Sequence, residues 1–246
     1  RQPGSTFKLF TYLEALERGL KPSDQVSCAL LDWGGQAYAS GCGGLLSLRS
    51  AFASSSNTAA LRLARRLGLE PVAARARAMG ITTPLEPVPG LVLGQAEVRL
   101  LELTAAYAAV ANGGVWHAPS TVRLLTDGES RAGATRGRSV INPGRQVVSP
   151  ATAQQMQELL RAVVRSGTGR AASLGGQEGG KTGTTNDARD LLFIGSEPQR
   201  QWTIGIWLGN DDNRPTGSSS ALAAGLWSDI IRSAGQGSLS HRPSLR

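Results

Sequence analysis

Gly179-Gly180-Lys181-Thr182-Gly183-Thr184-Thr185 is the stretch on which the reading of this 246-residue chain turns. It holds one of only three lysines in the sequence, set among glycines and β-branched residues. Two readings compete for it. Residues 175–182 satisfy G-x-x-x-x-G-K-[ST], in which a glycine-rich turn between a strand and a helix cradles phosphate. That context requires a hydrophobic strand before the first glycine and a helix opening at the lysine. Arg170-Ala171-Ala172-Ser173-Leu174 contains no β-branched residue, and Thr182 to Asp187 disfavours helix at almost every step. Glycine alternating with threonine instead suits a strand approached closely by other backbone, with hydroxyls on one face. A phosphate-loop nucleotide hydrolase remains the alternative, to be dismissed if nucleotide with magnesium does not bind.

Around this stretch the period is that of a sheet. Lys181–Thr185, Asp190–Ile194 and Gln201–Leu208 read as three consecutive strands with short polar links, hence an antiparallel meander. Ser218–Ala234 follows as a helix with Leu222, Leu226, Ile230 and Ile231 on one stripe, and the last dozen residues read as a mobile tail. Upstream the period is helical. Phe7, Leu9, Phe10, Leu13 and Leu16 mark a helix of about four turns that stops at Gly19. Residues 23–45 read as loop with at most a short strand. Further helices are expected over 47–53, 58–67, 71–79, 97–111 and 151–165, with 81–94 as loop, a strand over 121–125 and an exposed insertion over 127–145. Ser54-Ser55-Ser56-Asn57 interrupts an alanine-rich helical region, and capping is the ordinary use of such residues.

The formal charge is +8, carried by 26 basic residues of which only three are lysine. The arginines are spread along the chain and aromatics make up 5%. Nucleic-acid binding would want a concentrated basic face or interleaved aromatics, so a solvated arginine surface is the expected account. No apolar run is long enough to span a bilayer. Cys28 and Cys42 either close a short loop, worth about 3 kcal/mol in an oxidising compartment, or remain two inert thiols. The two histidines, His117 and His241, lie far from both, so metal-ligand spacing is absent and no cofactor is expected.

With no histidine placed to serve as a base, serine chemistry would need a lysine whose pKa is lowered by burial or by a nearby cation. Ser5 and Lys8 stand one helical turn apart, the only S-x-x-K in the chain. Alone this spacing is weak. In order along the chain, however, stand Ser5-Thr6-Phe7-Lys8, Ser55-Ser56-Asn57 and Lys181-Thr182-Gly183, and two of the three lysines belong to the set. The trio resembles the penicillin-recognising serine acyl transferases.

With Arg1-Gln2-Pro3-Gly4 before the serine, Ala111-Asn112-Gly113-Gly114, Gly167-Thr168-Gly169, Thr184-Thr185-Asn186-Asp187 and Gly209-Asn210-Asp211-Asp212, the chain is similar to the transpeptidase domain of bifunctional (class A) penicillin-binding proteins from Arg1 to about Ala234. The resemblance implies an α+β fold of the penicillin-binding-protein and β-lactamase-like kind, an antiparallel sheet flanked by helices beside an all-helical lobe. It implies one domain over 1–234 and a tail over 235–246. Strands that normally precede the serine helix are missing from this chain, so the edge of the strand over 201–208 is expected to be unpaired. Asp190-Leu191-Leu192-Phe193 departs from the family's tryptophan-containing version.

Residue by residue, the resemblance implies Ser5 as nucleophile on the penultimate D-alanine of a peptidoglycan stem peptide and Lys8 as its base. Ser55 and Lys181 would relay a proton to the leaving amine, and Asn57, Thr182, Gly183 and Thr184 would bind substrate. The backbone amides of Ser5 and Thr184 would form an oxyanion hole. Expected partners are donor and acceptor stem peptides and β-lactams, with a membrane anchor only in a longer parent, at the periplasmic face of the inner membrane. A β-lactamase or D,D-carboxypeptidase is the nearest rival, yet Glu70 and Glu86 do not sit in the E-x-x-L-N pattern that holds a deacylating water. A non-catalytic β-lactam-sensing or peptidoglycan-binding module is the other alternative.

Overall fold

Phe7, Leu9, Phe10, Tyr12 and Leu13 are completely buried, so the first helix carries apolar surface on more than one face and belongs in an interior rather than on a surface. A 3-10 turn, Gly4–Phe7, feeds directly into α1 (Lys8–Glu17). In this computed structural model, which describes residues 1–39, 41–121, 124–126, 137–139 and 143–236, α1 is the axis of the larger hydrophobic core.

Four short strands follow α1: β1 (Gln25–Ser27), β2 (Leu31–Trp33), β3 (Gln36–Tyr38) and β4 (Leu45–Ser47). The sequence predicts loop with at most a short strand here. Strands of three residues among glycines leave no measurable alternation, but their pairing is plain. Gln25 lies opposite Ser47, and Trp33 lies opposite Gln36 across a two-residue turn. Gly34 and Gly35, at φ +64° and +77°, supply the positive φ that such a turn demands. Helices α2 (Leu48–Ala53), α3 (Asn57–Leu67), α4 (Leu69–Ala78), α5 (Pro89–Val92) and α6 (Leu100–Ala111) come next. The single-turn α5 lies in a stretch expected to be loop.

Then come β5 (Val115–Trp116), β6 (Leu124–Thr126), β7 (Gly137–Ser139) and β8 (Arg145–Gln146), pairing β5 with β8 and β6 with β7. Most of the expected insertion, residues 127–136 and 140–142, lies outside the described residues, as do 122 and 123 of the expected strand. The described residues finish with α7 (Pro150–Ser166), β9 (Gly179–Thr184), β10 (Asp190–Glu197), β11 (Trp202–Gly209) and α8 (Ser220–Gln236). Helix α8 takes the first two residues of the expected tail, and the rest of that tail lies outside the described residues.

The last three strands form the expected antiparallel meander in the order β11-β10-β9, with β11 at one edge. Alternation along a strand sends successive side chains to opposite faces. Phe193 and Ile206 join Ala223, Ala224, Trp227 and Ile231 of α8 in a smaller core, with the Phe193 and Trp227 rings edge to face at 5.5 Å. Ile194, on the other face, joins the larger core. The apolar stripe assigned to α8 is therefore corrected. Ile231 is buried, but Leu222, Leu226 and Ile230 are 56%, 41% and 38% exposed. Gly195, where any Cβ would press on Trp227, lets the helix come close on its alanine and tryptophan side, turning the leucines outward.

Candidate active site

Ser5 stands second in the 3-10 turn, half-buried, and its position is fixed by contacts that tolerate no side chain on either neighbour in space. Gly4 has φ +52°, and a Cβ there would lie 2.7 Å from the carbonyl oxygen and 3.1 Å from the amide nitrogen of Thr184. A Cβ on Gly183 would meet the Pro3 carbonyl and the Thr6 methyl. The serine turn and the outer edge of β9 are thus in backbone contact, which is why glycines flank this junction. Behind the turn, Gly4 donates its amide to the Gly94 carbonyl at 3.3 Å. The Tyr107 hydroxyl of α6 donates to the Thr6 carbonyl at 2.8 Å, and the Thr6 hydroxyl to the Pro3 carbonyl at 2.7 Å.

Amides at the start of a helix have no partner within it, which leaves the N–H of Ser5 to bond outside the turn, next to a glycine that touches the Thr184 backbone. If the amides of Ser5 and Thr184 act together as the resemblance implies, Gly4→Ala is expected to wedge them apart and lower the rate of acylation by penicillin about 10²–10³-fold, the usual cost of one oxyanion donor. Gly19→Ala, at φ +90° with nothing within 4 Å of its Cβ, imposes backbone strain without a clash and is expected to leave that rate unchanged. Equal losses in both variants would sink the explanation.

One turn on, Lys8 is fully buried, and its Nζ donates to the Ser55 carbonyl at 2.6 Å and to Asn57 Oδ1 at 2.6 Å, with Ser55 Oγ at 3.2 Å. Two of these partners are carbonyl-type oxygens that only accept; the third is a hydroxyl that also donates. Ser55 reaches Lys8 with both atoms because it adopts φ +59°, an uncommon conformation for a non-glycine residue. Lys181 is also fully buried, on the face of β9 turned toward the helices, and its Nζ lies 2.9 Å from Ser55 Oγ. Ser55 therefore bridges two amines. Burial first, and the neighbouring Lys181 second, hold Lys8 well below the ordinary lysine pKa, and burial brings Lys181 down to about 7. A lysine so shifted has the neutral form that accepts a proton near neutral pH.

The polar tetrapeptide thus divides its labour. Ser56 is the N-cap of α3, its Oγ accepting from the Ala59 amide at 3.3 Å, while Ser55 and Asn57 face Lys8. Thr182 is buried and Thr184 exposed, two residues apart and so on one face of β9. Lys181 lies within that strand opposite Ile194, not at a helix start, which removes the phosphate-loop alternative. Lys8, Ser55, Asn57 and Lys181 form one hydrogen-bonded chain, and Ser5 stands one turn before Lys8 in the turn that touches Gly183 and Thr184.

Sequence reasoning missed Gly94 and Tyr107, which hold the serine turn from segments about 90 and 100 residues away; nothing local signals either. Glu70 is exposed and paired with Arg77, and Glu86 is exposed. Cys28 and Cys42 are bridged, with Cα atoms 5.5 Å apart, and the Cys28 carbonyl accepts from Thr58 Oγ1, next to Asn57, at 2.9 Å. Among the described residues no helix is long and apolar enough to cross a membrane.

A serine-bearing helix set against the edge of an antiparallel sheet, with S-x-x-K, S-x-N and K-T-G joined by hydrogen bonds through Ser55, defines the penicillin-binding-protein and β-lactamase-like class of α+β folds. A family model described as the penicillin binding protein transpeptidase domain matches residues 1–230. Penicillin-binding protein 1A of Aquifex aeolicus is 34% identical over 245 residues, covering 94% of this chain and 33% of the relative. Its counterpart from Neisseria lactamica is 30% identical over 254 residues, covering 96% and 32%. Among solved structures, penicillin-binding protein PonA1 from Mycobacterium tuberculosis superposes with a TM-score of 0.81 at 26% identity over 100% of this chain and 70% of that one. Penicillin-binding protein 3 of the same organism, complexed with aztreonam, gives 0.80 at 26% identity over 100% and 64%. The chain belongs to the penicillin-binding protein transpeptidase domain family. It spans about a third of the length of the curated relatives it matches.

Proposed function

We propose that this domain is a D,D-transpeptidase that cross-links peptidoglycan stem peptides through an acyl-enzyme on Ser5 and is acylated by penicillin at the same atom. The observation that carries the reading is the Lys8–Ser55–Lys181 chain, two depressed lysines joined by one hydroxyl. Neutral Lys8 takes the Ser5 proton as Oγ bonds to the carbonyl carbon of the penultimate D-alanine. The oxyanion is held by the amides of Ser5 and Thr184. As the C–N bond breaks, the terminal D-alanine leaves as an amine, receiving its proton through Ser55 and Lys181. Asn57 binds the substrate amide, and Thr182 and Thr184 hydrogen-bond the terminal carboxylate in the field of Lys181, with Gly183 allowing close approach. In the second half the acceptor's amine attacks the ester, gives its proton back along the same path and frees Ser5.

Hydrolysis differs only in using water as the acceptor. The exposure of Glu70 and Glu86 favours slow hydrolysis, since neither is held to position a water. This chemistry belongs at the cell envelope, on the periplasmic face of the inner membrane, where stem peptides lie. Incubating the protein with a D-Ala-D-Ala stem peptide and an amine acceptor, and separately with penicillin, tests the reading by mass spectrometry. The expected results are a cross-linked product and a penicilloyl adduct that persists for hours. Rapid adduct turnover would make the protein a β-lactamase, release of D-alanine without a cross-link a carboxypeptidase, and a stable adduct without either product a sensing module.

A further inference from the structure

The turn between α7 and β9 contains a hydroxyl that the reaction scheme leaves without a part. Thr168 Oγ1 lies 2.6 Å from Thr182 Oγ1, a short hydrogen bond for two neutral hydroxyls. Thr168 is exposed while Thr182 is buried. The backbone of Thr168 is tied elsewhere, its amide donating to the Ala53 carbonyl at 3.1 Å, directly before the Ser54-Ser55-Ser56 turn. The flanking glycines are there because this turn is wedged in. A Cβ on Gly167 would run into the Ala53 carbonyl, and one on Gly169 would crowd Val163 and Phe193. Thr168 is thus held between the end of α2 and the edge strand β9.

A hydroxyl has one proton to donate and lone pairs to accept. A carboxylate only accepts, so Thr182 serves a carboxylate only when its own proton points toward it. If Thr182 instead donated to Thr168, a lone pair would face the carboxylate and repel it. We propose that Thr168 is a positioning residue: by donating its proton to Thr182 Oγ1 it turns the Thr182 hydroxyl toward the carboxylate end of the bound substrate. The chain Thr168 O–H to Thr182 O–H to carboxylate then runs in one direction, and each hydrogen bond polarises the next. The donation from Lys181 Nζ to the Thr182 carbonyl, at 3.2 Å, steadies the same residue from behind. This proposal rests on the acyl-enzyme reading above and adds a determinant of its preference for substrates ending in a carboxylate.

The test uses the purified protein with Thr168→Val, which keeps the shape and the Ala53 contact but removes the hydroxyl, and Thr168→Ser, which restores it. Second-order acylation rates are measured with penicillin and with its methyl ester, in which the carboxylate is blocked. Thr168→Val is expected to slow acylation by penicillin about 5–10-fold, the value of one hydrogen bond between neutral groups. The ester rate and the melting temperature are expected to stay at wild-type values, with Thr168→Ser recovering the penicillin rate. Equal loss with acid and ester, or no loss with either, would overturn the proposal. Failure of the wild-type protein to be acylated by either compound would instead bring down the acyl-enzyme reading, and this proposal with it.

Discussion

Ser5→Ala is expected to melt with the wild-type protein and to gain no mass after incubation with penicillin. Among the described residues no hydrogen bond rests on the hydroxyl. It is the Ser5 carbonyl that accepts from the Lys8 amide to close the turn, and Lys8 sends its own hydrogen bonds to Ser55 and Asn57. An alanine is a good helix former and fits the half-buried site. The chemistry, by contrast, has no substitute for the missing oxygen. Removing the nucleophile from a serine enzyme costs on the order of 10⁶ in turnover, so no covalent labelling should be detected on the timescale of the wild-type reaction. Ser54, Ser55 and Ser56 are the rival hydroxyls. Ser54 donates to the Ser50 carbonyl, and Ser56 is committed to capping α3. Peptide mapping of any residual adduct settles which atom is acylated, and an adduct on Ser55 in the variant would refute the assignment of Ser5.

The three motifs were legible because each is local. S-x-x-K is one helical turn, S-x-N spans one helix cap, and K-T-G lies on one strand, so their geometry is nearly decided within a few residues of chain. What the sequence concealed is long-range. Gly4 looks like an ordinary residue before a helix until the edge of β9 is seen against it, and Gly94 and Tyr107 show their purpose only through contacts about 90 and 100 residues away in sequence. The positive φ of Ser55 is invisible for the same reason, since it goes with a contact to Lys8, 47 residues away in sequence. The α8 stripe was misread on different grounds. Its leucines follow helical spacing, but the side carrying Ala223, Ala224 and Trp227, with Trp227 against Gly195 of the sheet, packed instead. Periodicity identifies that a helix has an apolar side; the shape of the opposing surface decides which side is buried.

Lys8→Met is expected to lower acylation by penicillin about 10²–10⁴-fold, the range for losing a positioned general base, and to change the shape of the pH profile. In the wild type the rate should rise as Lys8 loses its proton, at a pH well below the ordinary lysine range because burial and Lys181 both disfavour its cation. It should then fall as Lys181, with a pKa of about 7, gives up the charge that attracts the substrate carboxylate. The most reactive form has Lys8 neutral and Lys181 charged, and the charge of Lys181 favours loss of the Lys8 proton. Lys8→Met should abolish the rising limb and keep the falling one. Lys8→Arg should be as slow as Lys8→Met, since a guanidinium does not give up its proton in this range. Stability adds an independent check whose sign is opposite to that of most ion pairs. Each buried lysine binds its proton more weakly folded than unfolded, so the wild-type protein should gain stability as pH rises from about 7, the Lys181 value, toward the ordinary lysine pKa near 10.4. That gain should be smaller in Lys8→Met, which has one buried amine fewer. A rising limb that survives Lys8→Met would assign the base elsewhere, and a wild-type stability that falls over that interval would mean the two lysines are not held with depressed pKa values.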